Sequence, residues 1–436
     1  MKMVNQNADL NQYLNMRVKT STLWSFISVC FFKIILDLSY HYVIAPIWGY
    51  SGFGSQFDNL KFVESYFLLL IIFLLMPKSS KPISNTFIFV LILLTYIPML
   101  TFYTFNDGAR VYLYMVTAFW ILVFFLLRIL PSFIFTPLKQ ANIIRYLLFI
   151  CLGTTAFLLI YIYIGLSYNL SLTNIYETRS IYIGTGIPLA GYLFTWMVHT
   201  INPTFFALFI AKRKWFLVAL IIALQLLLFS TTGDKLTLFA LPFVFILMWV
   251  VKRNNPLAYI GVIFAGIILI GMLFYLLTGD VWISSIFTRR MLLIPAQISF
   301  IYFNFFSKNG PIYLSHSIFR GFLKYPYELD PANLIGSVYF DQPAMHVNTG
   351  IAGDAYMNFG PVGLLMWGIL LAVTLKLFDA GLKKVDYKIG AAIVIMVAIT
   401  LSNTGLLTSL LTHGILLALL LAYLLPKEET WKAKLT

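Results

Sequence analysis

Residues 257–278 read LAYIGVIFAGIILIGMLFYLLT, a stretch without a single charged side chain. An apolar run of about 20 residues crosses a lipid bilayer when it forms a helix, because each residue advances the helix by about 1.5 Å. The sequence contains twelve apolar runs in all, and the other eleven are 22–47, 62–77, 84–105, 110–128, 145–166, 187–211, 215–231, 236–251, 355–375, 389–404 and 407–425. This pattern predicts an all-α integral membrane protein with about 12 transmembrane helices.

The composition fits the same class. Of the 436 residues 60% are hydrophobic and 11% are charged, whereas a soluble domain has about 25% charged residues. No stretch has the polar balance of a soluble module, so residues 1–436 are predicted to form a single polytopic membrane domain. Cys30 and Cys151 both fall inside apolar runs, which argues against a disulfide framework or a thiol metal site.

The net charge of +14 invites a nucleic-acid interpretation, but the distribution of the charge argues against it. If the N-terminus is inside, twenty of the 30 Lys and Arg residues fall on inner connections, nine fall on outer ones and Lys33 lies within a span. Cytoplasmic connections of membrane proteins are enriched in Lys and Arg. We therefore expect both termini to be cytoplasmic and no nucleic-acid partner.

Residues 279–354, here called the outer segment, are the one long polar interruption and lie between the ninth and tenth runs. The charge distribution predicts that they form one large periplasmic loop. Within the segment, residues 283–306 are apolar around Arg289 and Arg290. They are predicted to form a short helix at the interface, or one that re-enters the protein. Because the bilayer core tolerates little polar chemistry, an enzyme of this kind should keep its reactive groups in such a segment.

Basic side chains gather on this outer face, where they are otherwise avoided. The outer segment carries Arg289, Arg290, Arg320 and Lys324, and a short outer turn carries Lys235. Arginine presents a planar fork that suits phosphate oxygens, and lysine presents a compact charge. Contact with anionic lipid head groups explains any one of them, but several together favour binding of an anionic lipid pyrophosphate.

The outer segment runs into the tenth apolar run through Asn348–Gly363, NTGIAGDAYMNFGPVG. Its four glycines let backbone approach a ligand or a neighbouring helix closely. Asp354 lies near the predicted helix start, where it is either a cap or a general base. His316 and His346 are alternative bases, because histidine titrates near neutral pH.

Polar groups inside the apolar runs are few. Lys33 and Asp37 lie four residues apart in the first run and share a helix face. They are either an ion pair that fixes packing or part of a substrate site. Pro203 and Pro242 fall inside runs and are predicted to kink them. Walker, Rossmann and zinc-ligand motifs are absent from the sequence, so neither a metal nor a cofactor is expected.

With these features the chain resembles the O-antigen and capsule repeat-unit polymerases of bacteria, the Wzy class. The resemblance covers most of the length, with about a dozen spans and one large outer loop late in the sequence. It is carried by the turn Thr232–Lys235, by Arg289-Arg290 followed by Pro295, and by Asn348–Gly363. The order His346, Asn348 and then Gly360-x-x-Gly363 is also loosely similar to O-antigen ligases.

The resemblance implies a metal-independent glycosyltransferase of lipopolysaccharide or capsule biosynthesis, active at the periplasmic face of the inner membrane. The growing glycan on undecaprenyl pyrophosphate would move onto the next lipid-linked repeat. Membrane lipids, a flippase and a chain-length regulator are the expected partners. No cofactor is needed, because the activated donor supplies the driving force.

For this reaction, Arg289, Arg290 and Lys235 would stabilise the leaving pyrophosphate, and Asp354 or His346 would accept the proton. The rest of the predicted substrate-binding set is Arg320, Lys324, Tyr356, Asn348 and His316. An O-antigen ligase-type transferase and a flippase or other transporter are the alternatives. A transporter should carry ionisable groups along a path through the membrane, whereas the apolar runs hold little beyond Lys33 and Asp37.

Overall fold

A computed structural model describes residues 2–136, 138–165, 175–187 and 189–426 of the chain. The regular structure within these ranges is helical, which confirms the predicted all-α class. The α-helices are Lys2–Ser39, Ala45–Trp48, Asn59–Leu75, Ile83–Leu91, Ile97–Phe105, Arg110–Ile129, Ala141–Tyr163, Ile175–Gly184, Ala190–Trp196, Asn202–Ala211, Trp215–Thr232, Lys235–Val250, Pro256–Thr278, Ile294–Asn309, Pro331–Phe340, Ile351–Leu382, Tyr387–Asn403, Leu406–Leu411 and Ile415–Leu424.

Within the described ranges, eight helical stretches are long and apolar enough to cross a bilayer, as expected for a multi-pass membrane protein. They are Ser21–Ser51, Ile83–Phe105, Arg110–Ile129, Ala141–Tyr163, Ala190–Ala211, Trp215–Thr232, Pro256–Thr278 and Ile351–Leu382. The other four predicted runs also fall on helices, but on shorter ones. Lys235–Val250, for example, is about 24 Å long at about 1.5 Å per residue. The count of twelve spans stays a prediction.

Four prolines each follow a π-helical segment. The π-helical segments are Tyr40–Ile44, Ile92–Tyr96, Met197–Ile201 and Ser284–Leu293. An α-helix continues each segment, and the second residue of that helix is a proline, in the same order Pro46, Pro98, Pro203 and Pro295. A proline lacks the N–H of the helical ladder, and its ring crowds the carbonyl four residues earlier. A wider π turn before the proline relieves that crowding. Of the two predicted kinks, Pro203 has such a turn, whereas Pro242 lies inside Lys235–Val250.

The chain folds as two compact units. The first contains residues 1–80, 89–125 and 253–368, and the second contains residues 81–88, 126–252 and 369–436. Each unit is assembled from three separate stretches of chain, so no single linker in the sequence marks the boundary between them. For this reason the sequence predicted a single domain.

The outer segment is largely helical and packs within the first unit. The π-helical stretch Ser284–Leu293 continues directly into Ile294–Asn309. Phe300 and Tyr302 are each 2% exposed, and the Phe300 ring stacks on Phe102 with centroids 5.5 Å apart. A helix was predicted for this apolar stretch and is found, but it is longer than expected, since residues 284–309 form one continuous helical stretch whose buried side chains pack inside the protein.

Lys33 and Asp37 form the ion pair that their spacing predicted. The Lys33 Nζ lies 2.6 Å from both carboxylate oxygens of Asp37, and Lys33 is 0% exposed. The same carboxylate accepts hydrogen bonds from Tyr66 Oη at 2.9 Å and Thr101 Oγ1 at 2.7 Å. Because these donors come from other helices of the first unit, the contacts favour a packing role over a substrate site.

Candidate functional site

The helix Ile351–Leu382 is broken at Phe359 and Gly360. Phe359 has φ −140° and ψ 19°, and Gly360 has φ 58° and ψ −141°. A positive φ is accessible to glycine at little steric cost. Gly363 keeps the two halves of the helix close, because a Cβ at this position would collide with the carbonyl oxygen of Ala355. Gly363 therefore serves the close backbone approach that the sequence predicted, whereas Gly360 is required by its positive φ and a Cβ there would meet nothing within 4 Å.

Asp354 joins the two halves of the broken helix. Its carboxylate accepts a hydrogen bond from Trp367 Nε1 at 2.8 Å, beyond the break, and from Asn358 Nδ2 at 3.2 Å, before it. Asp354 is 9% exposed. A buried carboxylate requires such donors. In this geometry Asp354 has a structural role, because its hydrogen bonds connect the two halves of the helix. Its role as a general base stays a prediction.

The outer segment supplies hydrogen-bond donors at the break. The Ile312 N–H donates to the Met357 carbonyl at 3.0 Å, and the Tyr313 N–H donates to the Asn358 carbonyl at 2.9 Å. The Leu314 N–H donates to Asn358 Oδ1 at 3.2 Å. Carbonyls at a helix end have no partner within the helix, and these bonds satisfy them. The outer segment is thereby fixed to the helix half that carries Asp354.

Tyr356, a predicted substrate-binding residue, lies in an aromatic cluster formed with Tyr112 and Phe303. Ring centroids are 4.6 Å apart for Tyr112 and Phe303, 4.8 Å for Phe303 and Tyr356, and 5.9 Å for Tyr112 and Tyr356. The Tyr112 hydroxyl also lies 2.7 Å from Ser299 Oγ. Tyr356 is 8% exposed, so the structure places it where it fixes the outer segment to the helix Arg110–Ile129.

Arg289 and Arg290 are adjacent in sequence but have different surroundings. The Arg289 guanidinium lies over two rings near the end of the first span, 5.0 Å from the centroid of Trp48 and 6.0 Å from that of Phe53. A guanidinium over an aromatic face is attracted by the negative charge density of that face. Arg289 is half-buried and Arg290 is exposed. The rings hold the Arg289 side chain in a defined position.

Four further predicted residues lie at exposed positions of the outer segment. Arg320 and Lys324 lie in the turns that follow the helix Ile294–Asn309, and His346 and Asn348 lie in the stretch that leads into the broken helix. Their side chains are accessible to a ligand in solution or at the membrane surface.

His316 differs from His346 because it is half-buried. Its ring centroid lies 6.1 Å from that of Tyr325. Burial lowers the pKa of His316 below its ordinary value, and the nearby Asp330 carboxylate opposes that shift. The charged imidazolium is therefore disfavoured at this position.

Lys235 is the one predicted site residue in the second unit, and the others belong to the first. It begins the helix Lys235–Val250 and is half-buried.

A polar cluster around Glu64 was not singled out from the sequence. The Glu64 carboxylate accepts hydrogen bonds from the hydroxyls of Tyr103 and Tyr114 and from Arg110 Nε. Beside this cluster, Lys61 forms an ion pair with Asp107. Glu64 lies on the helix Asn59–Leu75, whereas its partners lie on other helices, and no spacing in the sequence connects them.

Two histidines within the second unit correct the expectation that the spans hold little beyond Lys33 and Asp37. His199 and His413 have ring centroids 5.9 Å apart, and His199 Nδ1 lies 2.8 Å from Thr400 Oγ1. His199 lies inside the candidate span Ala190–Ala211. The two rings come from distant parts of the chain, so neither one alone suggested a pair.

Comparisons of the chain with protein-family models, with curated proteins and with solved structures give no significant match.

Proposed function

We propose that the protein is a polymerase of lipid-linked oligosaccharide repeat units, of the O-antigen or capsular class, in the bacterial inner membrane. The observation that carries the proposal is the position of Arg289. Its guanidinium lies over Trp48 and Phe53, in an outer segment that is hydrogen-bonded to the broken helix carrying Asp354. A fixed cation on the face where basic residues are otherwise rare suits a lipid pyrophosphate.

The reaction exchanges one glycosidic bond for another. The bond between the anomeric carbon of the growing glycan and its undecaprenyl pyrophosphate breaks, and a bond from that carbon to a hydroxyl of the next repeat forms. Negative charge grows on the departing pyrophosphate, and cations held in place beforehand stabilise that charge more in the transition state than in the ground state. Arg289 and Arg290 perform this role.

The acceptor hydroxyl loses a proton in the same step. His346 is exposed on the outer segment, whereas the carboxylate of Asp354 already accepts hydrogen bonds from Trp367 and Asn358. We therefore assign proton transfer to His346 and assign Asp354 a positioning role at the helix break.

The second lipid-linked repeat needs its own binding surface. Arg320 and Lys324 are exposed in the turns of the outer segment, where they are available to a second pyrophosphate. Tyr313 and Phe322 are exposed on the same stretch and offer aromatic faces on which sugar rings stack.

Vesicles that contain the purified protein and purified lipid-linked repeats test the proposal. We expect lipid-linked glycans longer than one repeat to accumulate, and we expect Arg289→Ala to prevent their accumulation. Transfer of single repeats to a different acceptor lipid would indicate the ligase-type alternative. Repeats that cross the bilayer without any chain growth would reject the polymerase.

The transporter is kept as a second candidate because of His199 and His413. Ionisable side chains within membrane helices often line transport or proton paths, and these two rings are neighbours. If the protein is a transporter, a His199→Gln/His413→Gln variant should stop movement of labelled repeats across vesicles. If it is a polymerase, the same variant should still extend chains.

A further inference from the structure

The second unit contains a cavity of about 470 Å³ whose wall includes four lysine side chains. We call this cavity the lysine pocket, and its lysines are Lys81, Lys376, Lys383 and Lys384. They come from two separate parts of the chain, the stretch before the helix Ile83–Leu91 and the end of Ile351–Leu382 with the turn that follows. A concave site with several like charges attracts an ion of opposite charge.

One carboxylate, that of Asp379, also lines the lysine pocket. It accepts hydrogen bonds from the backbone N–H of Ser84 at 2.9 Å and from Ser84 Oγ at 2.7 Å. These bonds anchor the carboxylate to the start of the helix Ile83–Leu91. Lysines therefore outnumber carboxylates four to one along the wall of the pocket.

The remaining wall combines hydroxyl groups with apolar side chains. Ser132 contributes a hydroxyl, and Pro82, Ile83 and Phe133 contribute apolar surface. Tyr387 also lines the pocket, and its hydroxyl is hydrogen-bonded to Thr86 Oγ1. Hydroxyl and ammonium groups both donate hydrogen bonds to phosphate oxygens. The apolar surface is suited to the adjoining carbon atoms of a phosphate compound.

The preference for basic residues at the cytoplasmic face explains why lysines occur on these connections. It does not explain their convergence on one cavity. Arg213 and Lys214 illustrate the usual case, since both are exposed on another connection of the same unit and neither lines the lysine pocket.

We propose that the lysine pocket binds a phosphate-bearing anion, supplied either by a lipid head group or by a soluble phosphate compound. Basic pockets between membrane helices are suited to such head groups, and lysine binds phosphate as a compact charge. None of its residues belongs to the proposed transfer site, so this second site stands whether or not the protein is a polymerase.

Binding to the purified full-length protein in neutral detergent tests the proposal, with inorganic pyrophosphate and short-chain phosphatidic acid as separate probes. At about fivefold per lysine, Lys376→Gln/Lys383→Gln should weaken binding about 25-fold. The matched control Arg213→Gln/Lys214→Gln removes the same charge and should change the affinity less than about twofold. Added salt should weaken binding to the unmodified protein.

The two probes separate the sources of the phosphate. Binding of both supports a site for soluble phosphate compounds, and binding of phosphatidic acid alone supports a lipid site. Lys376→Arg/Lys383→Arg keeps the charge and should bind within about threefold of the unmodified protein, which distinguishes lost charge from misfolding. The proposal is overturned if neither probe binds, or if the pocket and control variants lose affinity equally.

Discussion

Two polar regions of the first unit differ in how their charges are matched. Around Asp37 the polar groups are hydrogen-bonded to one another in a closed region, since the carboxylate contacts Lys33, Tyr66 and Thr101 and the lysine is fully buried. In the outer segment, side chains such as Arg290 and His346 are exposed.

The difference separates two uses of charge in one membrane protein. A buried ion pair with saturated hydrogen bonds resists exchange with a ligand, because its groups would first have to lose their partners. Exposed cations can bind a ligand without first losing such partners. Substitutions in the closed region should therefore change stability, and substitutions in the outer segment should change activity.

The largest effect is expected for Lys33→Met. This change leaves the buried Asp37 carboxylate without its cation, which should lower the free energy of unfolding by roughly 3–5 kcal/mol. Unfolding in mixed detergent micelles measures the loss. A Lys33→Met/Asp37→Leu variant removes both charges and should recover most of the stability. If the Lys33→Met variant is as stable as the unmodified protein, the ion pair does not hold the helices together.

Arg289→Ala should lower chain extension by about 100-fold or more, because one preorganised group at a developing charge is worth about 10²–10³ in rate. Arg290→Ala is expected to be similarly damaging, and the membrane level of both variants should be unchanged. Glycan length in the vesicle assay is the measurement.

Lys308→Ala is the matched control for both arginines, since Lys308 is an exposed cation of the same segment. It should extend chains at close to the normal rate. Normal extension by both arginine variants would remove them from the catalytic set, whereas an equal loss in the Lys308 variant would indicate a general effect of charge.

His346 and Asp354 are distinguished by two substitutions of similar size. His346→Gln should lower extension by about 100-fold, as expected when a general base is lost. Asp354→Asn keeps an oxygen that can accept from the Trp367 indole, so extension should fall less than about tenfold. The opposite order in the vesicle assay would move the general base to Asp354.

The smallest effect concerns pH. Burial holds the pKa of His316 below its ordinary value in the folded protein. As pH falls below about 6.5, the unfolded chain therefore takes up a proton before the folded protein does, and stability decreases. The midpoint temperature of thermal unfolding should decrease when the pH is lowered from 7.5 to 5. The decrease should be smaller in the His316→Gln variant. An identical pH dependence in the variant would mean that other groups cause it.

Part of the site was predictable and part was not. The outer segment was located from its polarity, and Gly360 lies at a position that requires positive φ. The partners of Asp354 were not foreseen, because Trp367 reaches it only across the helix break. Tyr356 was predicted to touch substrate, but its ring is packed against Phe303 and Tyr112.

The sequence by itself determined that this protein is built for a lipid environment. Long apolar runs report that helices face lipid, and this property depends only on the local chain. The tertiary structure decided which polar groups meet, such as Glu64 with Arg110 or His199 with His413. Such pairs depend on which distant segments pack together. In a chain whose helices are apolar on nearly every side, periodicity does not specify that packing.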